Sequence, residues 1–430
     1  MILAHAIGGR TDLPIPTSIL LFASAAVLVI TFLGLSLIWP RPRLQEGPRY
    51  EEGLVAIPTR PVFGLLGLLA LLLVIGQVVP DLLDLERETL RATIAPVTVW
   101  VVFWLAVPFL GALWGNWYTD LNPWRALGRL GIGRMERIGL PHSLGVWPAT
   151  VTLVCFAWLE LIYPASGDPV VLGIAAIIYT GWLLGWMAMV GRETALAVFD
   201  VFTPYNRLIS AISPLGRRDD GRLVWRGWLR SLPVLPEWPG LWAFVAAMIG
   251  TVSYDGASGA AWFRNLTGGI GETTAGASFL LVAVVGVVMF GYYLACWLAA
   301  RSSGGDWSPD RVARRFAHTL VPIGLAYAVS HYFTLILFEG QQVLAAVSDP
   351  FGLDWDLFGT ADRRVQFFLT SSTVIWLLQV GFIVIGHIVG VILAHDRALL
   401  DFGPDAVRSQ YAMLGLMIAL TSLGLMILSG

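Results

Sequence analysis

Ten stretches of this chain are apolar enough to sit in a lipid bilayer, and they constrain the fold more than any motif does. They run over residues 17–39, 61–79, 96–114, 146–164, 170–190, 239–255, 276–298, 318–338, 366–394 and 411–429. Roughly 20 helical residues cross the hydrocarbon layer. Backbone N–H and C=O groups find no water there, so each stretch has to be a helix. Composition agrees: 57% of residues are hydrophobic and 13% charged, with a mean hydropathy of +0.73, far from soluble usage. The expected fold class is all-α, a polytopic membrane helix bundle of about ten transmembrane helices. Residues 1–430 then form a single integral membrane domain whose first partner is the lipid bilayer.

All 27 basic residues are Arg. The absence of Lys excludes a Schiff-base lysine and a Walker-type phosphate lysine. Cys155 and Cys296 lie in apolar segments outside any CxxC pair, so neither a disulfide framework nor a thiolate metal site is indicated. Nothing points to nucleic acid. The start, MILAHAIGGRTDLPIP, lacks a basic n-region and a long apolar core, so it is not read as a cleaved signal peptide.

Orientation follows from where the Arg residues fall. Loops 40–60, 115–145, 191–238, 299–317 and 395–410 hold 21 of the 27, and the opposite side holds six. The positive-inside rule makes the first set cytoplasmic in a plasma-membrane protein. Both termini then face outward, with 1–16 an outer segment whose His5, Arg10 and Asp12 could cover a cavity. A weak repeat marks the inner side: NPWRALGRL from Asn122, TPYNRLISAI from Thr203 and SPDRVARRF from Ser308. Each opens on a capping residue with Pro close behind, and then alternates apolar residues and Arg at helical spacing. Short amphipathic helices on the cytoplasmic face are expected, with Trp124 and Tyr205 as interface anchors.

Chemistry is sought where ionisable groups enter the apolar runs, because such groups are costly in lipid and face the bundle interior or a wet cavity. Four of the six histidines lie on two neighbouring segments. At 1.5 Å per residue His331 lies roughly 20 Å outward of His318, and His387 about 12 Å outward of His395. His318 and His395 are therefore read as inner-surface residues. Glu160, Tyr254, Asp255, Glu339 and Gln379 share the outer half with His331. The candidate site is Glu160 and Asp255 as catalytic carboxylates, with His331, His387, Glu160 and Asp255 as ligands for a divalent metal: Zn, Mn, Fe or Cu. Each member has a plainer reading. Asp255 can cap its helix, Glu160 can reach outward past Tyr163, and His387, between Gly386 and Gly390, can serve helix packing alone. Haem is disfavoured, since His318 and His331 point about 140° apart on a straight helix; a single haem between His331 and His387 is the residual version.

AHAIGGRTDLPIP, GNWYTDLNPWRAL, WAFVAAMIGTVSYDG, HTLVPIGLAYAVSHYF and GHIVGVILAHDRAL together resemble actinobacterial membrane proteins labelled fenitrothion hydrolase. The likeness spans nearly the whole chain. It implies hydrolysis of an organophosphate ester, an apolar small molecule that would enter from lipid. A metal-assisted hydrolase is thus the first expectation. A carrier or metal-handling protein, with the same groups as a substrate or proton-relay site, is the second. A non-catalytic subunit bound to a partner membrane protein is the third. GxSxG, HExxH and P-loop patterns are absent.

Overall fold

A computed structural model describes residues 15–47, 60–87, 93–133, 137–217, 222–367 and 371–429. The stretch with His5, Arg10 and Asp12 lies outside the described residues. The fold is an all-α bundle. Its main helices are α1 Thr17–Ile38, α2 Arg60–Ile75, α3 Ile94–Trp114, α4 Trp147–Leu161, α5 Pro169–Val190, α6 Phe202–Ser210, α7 Leu241–Ser258, α8 Thr274–Ser302, α9 Val321–Glu339, α10 Ser372–Phe402 and α11 Tyr411–Ser429. One small antiparallel hairpin, Leu215–Arg217 with Leu223–Trp225, follows α6.

Among the described residues, nine helical segments are long and apolar enough to cross a bilayer. The helix α7 matches the sixth expected span, 239–255, but falls short, because Thr251, Ser253, Tyr254 and Asp255 interrupt its apolar run. Its place in the bundle explains why they are tolerated. Every residue from Ala243 to Tyr254 is buried, and α4, α8, α9 and α11 pack around the helix. Small residues permit that enclosure: a Cβ on Gly250 would lie 2.8 Å from the Val285 Cα of α8.

The helices α9 and α10 form the closest seam. A Cβ on Gly386 would stand 2.2 Å from the Ala326 Cβ and 2.8 Å from the Pro322 carbonyl oxygen, and one on Gly390 would stand 3.1 Å from the Thr319 oxygen. The packing face expected at these two glycines is present. Two hydrogen bonds tie the seam further out: Ser330 Oγ donates to the Gln379 carbonyl at 3.0 Å, and Gln379 Nε2 donates to the Ser330 carbonyl at 2.8 Å.

In α3 the turns from Val97 to Ala106 widen to a π-helix, where the Val107 N–H reaches back five residues to the Val102 carbonyl. Pro108, with no N–H, cannot bond back to Trp104. Widened turns of this kind recur at functional sites.

Three expectations for the inner face are corrected. The segment from Ser308 does form an amphipathic helix, Pro309–Phe316, capped by the Ser308 hydroxyl, with Val312, Ala313 and Phe316 buried. The segment around Thr203 does not lie on a surface. As α6 it is buried almost all round, and Tyr205 packs on Trp104 of α3 at 4.8 Å between ring centroids. Trp124 is likewise enclosed, and its indole N–H donates to Thr180. Neither aromatic is an interface anchor, because Trp124 packs among Phe103, Tyr179 and Phe202 and Tyr205 against Trp104 inside the bundle.

His318 and His395 are not surface residues either. Each is under 5% exposed. The loop at 233–237 folds over the inner end of α10, where Arg397 donates to the Pro233 carbonyl and Arg315 bridges Glu237 and Asp401. The 39–45 stretch wraps His395 and Asp396 in the same way. His395 bonds to Gln410 and to the Trp39 carbonyl, while Asp396 accepts from the Trp39 indole, the Arg43 and Leu44 amides and Gln45.

Candidate functional site

The helix α7 runs past Asp255 to Ser258, so Asp255 is a helical residue and not a cap. From there it meets α9: His331 Nε2 and Asp255 Oδ2 are 2.8 Å apart, with side chains 21% and 9% exposed. Glycine at the next position makes the approach possible. A Cβ on Gly256 would lie 2.2 Å from the Ile427 Cγ2 of α11 and 3.4 Å from His331 Nδ1.

Glu160, on the last turn of α4, is turned inward and buried, which removes the reading in which it reaches outward. It lies within electrostatic reach of Asp255 and faces Trp104, whose buried indole N–H forms no hydrogen bond of normal geometry. Tyr205 adds a phenol near Glu160, and the Tyr332 hydroxyl is directed at Asp255 while its ring meets His331 edge-on at 4.8 Å. Five elements, α3, α4, α6, α7 and α9, thus contribute to one polar centre inside an apolar bundle. It contains two carboxyl groups and one imidazole. With all three ionised it would carry a net negative charge in low dielectric, so at least one shared proton is the cheaper state.

His387 stands apart from this centre. It is fully buried, its Nδ1 donates to the Ile383 carbonyl at 2.8 Å, and its ring lies 6.0 Å from that of Tyr327. Of the four proposed metal ligands, His331 and Asp255 are therefore in contact, Glu160 is adjacent, and His387 is elsewhere. Among the described residues no three His, Cys, Asp or Glu side chains are grouped to hold a metal ion. One ring nitrogen of His331, Nε2, is bonded to Asp255. The donor set fits a hydrogen-bonded acid–base pair better than a coordination sphere, which needs three or more converging ligands.

A cleft lined by Val252, Tyr327, Ser330, His331, Ile383, Gly424, Ile427 and Leu428 reaches the pair from between α7, α9, α10 and α11. The space inside it is about 10 Å³, room for about one water molecule.

A second polar centre went unread in the sequence. Asp200, fully buried between α5 and α6, accepts from Tyr179 (2.7 Å), Tyr118 (3.1 Å), Asn122 Nδ2 (3.1 Å), Thr203 Oγ1 (2.5 Å) and the Phe202 amide (3.1 Å). Burial pushes its carboxyl above the usual range, and the bonds from Thr203, Tyr179, Phe202 and Tyr118 pull it back. Every contact is internal, and the geometry is that of a clamp joining α5, α6 and the 118–122 turn. The only sequence signal was a lone acid in AVFDVF. Tyr332 and Trp104 were missed for a plainer reason: aromatic residues are common in such helices.

Comparison of the chain with protein-family models, curated proteins and solved structures returns no match.

Proposed function

We propose that this is a proton-handling membrane protein, a carrier or relay in which Asp255, His331 and Glu160 take up and release a proton inside the bundle. The observation that carries this reading is the 2.8 Å His331–Asp255 bond beside a second buried carboxyl group. An imidazole–carboxylate pair in low dielectric exchanges a proton without creating an isolated charge, and intramembrane acid and His chains of this kind serve proton pathways. The bilayer is its first partner. The Arg distribution supports a plasma-membrane placement with both termini outside.

The test is proton uptake by proteoliposomes carrying a pH-sensitive dye, under an imposed membrane potential. Wild-type protein should acidify the lumen faster than protein-free vesicles. Asp255→Asn and His331→Gln should return the rate to that of empty vesicles. Wild-type vesicles that behave as empty ones would overturn the reading.

The resemblance to fenitrothion hydrolases supports an alternative, metal-assisted hydrolysis of an organophosphate ester at the same residues. For that, His331, Asp255 and Glu160 would have to converge on one ion. Stoichiometric metal in the purified protein, lost in Glu160→Gln together with ester hydrolysis, would favour it.

Orientation has its own test. Single cysteines at Ser258 and Ser302, in a background without Cys155 and Cys296, should react with membrane-impermeant maleimide from opposite sides of intact cells or inverted vesicles. Labelling of both from one side would reverse the assignment of the loops.

A further inference from the structure

Besides His331, the α9–α10 seam holds two histidines, His318 and His387, that share one hydrogen-bonding pattern. His387 Nδ1 bonds to the Ile383 carbonyl four residues back, and His318 Nδ1 bonds to the Arg315 carbonyl three residues back, at 2.9 Å. A carbonyl only accepts, so Nδ1 carries the proton in both rings, and the neutral ring presents Nε2 as a bare lone pair. Both Nε2 atoms are buried and have no hydrogen-bond partner among the described residues. An unmet acceptor in a protein interior is costly, and its retention calls for a reason.

Their positions supply one. His387 lies against Tyr327, and Tyr327 lines the cleft with Ser330, Ile383 and His331. Tyr327 is one turn, about 6 Å, from His331 along α9 and about 13 Å from His318. The three rings therefore stand in order along the seam: His331 at the cleft, His387 beside it, and His318 at the end next to the Arg-rich loops. The glycines at 386 and 390 hold the two helices close between the last two.

We propose that His387 and His318 are the inner stations of a proton line that begins at the Asp255–His331 pair. The proposal rests on the proton-handling reading of that pair and adds the route inward. Each station works at one atom. A proton arriving on Nε2 makes the ring an imidazolium, Nδ1–H stays bonded to its carbonyl, and the same Nε2–H is released on the inner side, so the ring returns to its starting tautomer. Water molecules are needed to span the intervals. His318 is the exit, because it stands at the inner end of the line, bonded to the Arg315 carbonyl at the Arg-rich loops. Asp401 and Glu237 are bound to Arg315 there. Among the described residues no charged group acts on His387.

The test has two parts on the full-length protein in lipid. Nitrogen-15 NMR of labelled histidine should show two buried rings protonated at Nδ1, with Nε2 lone pairs, that are assigned by their loss in His387→Gln and His318→Gln. Their Nε2 should become protonated over the pH range in which flux is measured. In proteoliposomes, each variant should cut the flux by about tenfold or more, while the infrared protonation change of the Asp255 carboxyl persists. If wild-type flux is present and both variants carry it undiminished, or if both rings stay neutral wherever flux occurs, the route is wrong and the pair's role stands. Absence of wild-type flux would remove the pair's role and the route together. The NMR result on the wild-type chain decides the matter even if a variant misfolds.

Discussion

An Asp200→Ala chain is expected to lose its native fold in detergent. The carboxylate accepts from Tyr118, Tyr179, Asn122, Thr203 and the Phe202 amide in a buried site, and alanine removes that acceptor from all five, with only Asn122 keeping a long 3.4 Å contact to Thr203. Each unmet buried donor costs roughly 1–3 kcal/mol. Partial rearrangement lowers the sum, yet even about 5 kcal/mol rivals the whole stability of a typical domain. Asp200→Asn keeps the shape and one acceptor oxygen, so it should be less damaging. Thermal unfolding of both variants beside wild type is the measurement. An alanine variant that melts with wild type would show that the clamp is dispensable and that α6 is held by its aromatic contacts alone.

The second large effect is expected at Gly386→Ala. A methyl group there meets the Ala326 Cβ at 2.2 Å and the Pro322 carbonyl at 2.8 Å, so α9 and α10 must separate or lose register. Overpacking of this kind costs about 1–3 kcal/mol. Adding Ala326→Gly should recover part of the loss, since it removes the nearer obstacle. Gly381→Ala is the control: no atom lies within 4 Å of its new Cβ, and alanine is the better helix former by about 1 kcal/mol. Equal destabilisation at positions 381 and 386 would mean that close packing of the seam is not what the glycine at 386 serves.

The spans were legible because hydrophobic run length alone decides them, and α7 was found despite its polar end. The His331–Asp255 contact was also within reach: depth along two helices placed both groups in one layer, and charge made their pairing favourable. What could not be read is how loops fold back. His318 and His395 follow or precede Arg residues, as surface residues do, yet the 233–237 and 39–45 stretches close over them. Arg–Asp pairing lets such loops bury charge, and nothing in local periodicity reports it. The Thr203 segment failed for the same reason. Its spacing is amphipathic, but its polar residues are met from inside, with Asp200 and Thr203 bonded together. Asp200 in turn is held by Tyr118, Tyr179 and Asn122 from outside the segment, and only Arg207 of α6 is exposed.

The enclosure of α6 sets an order of assembly. It is made before α7, α8 and α9 in chain order, yet its buried face rests on α3 and on α9, which emerges more than a hundred residues later. A nascent chain that ends before α9 can pack α6 on α3, but the part of that face that α9 covers stays open until α9 arrives. Completion of the packing around α6 is therefore a late step in the assembly of the bundle.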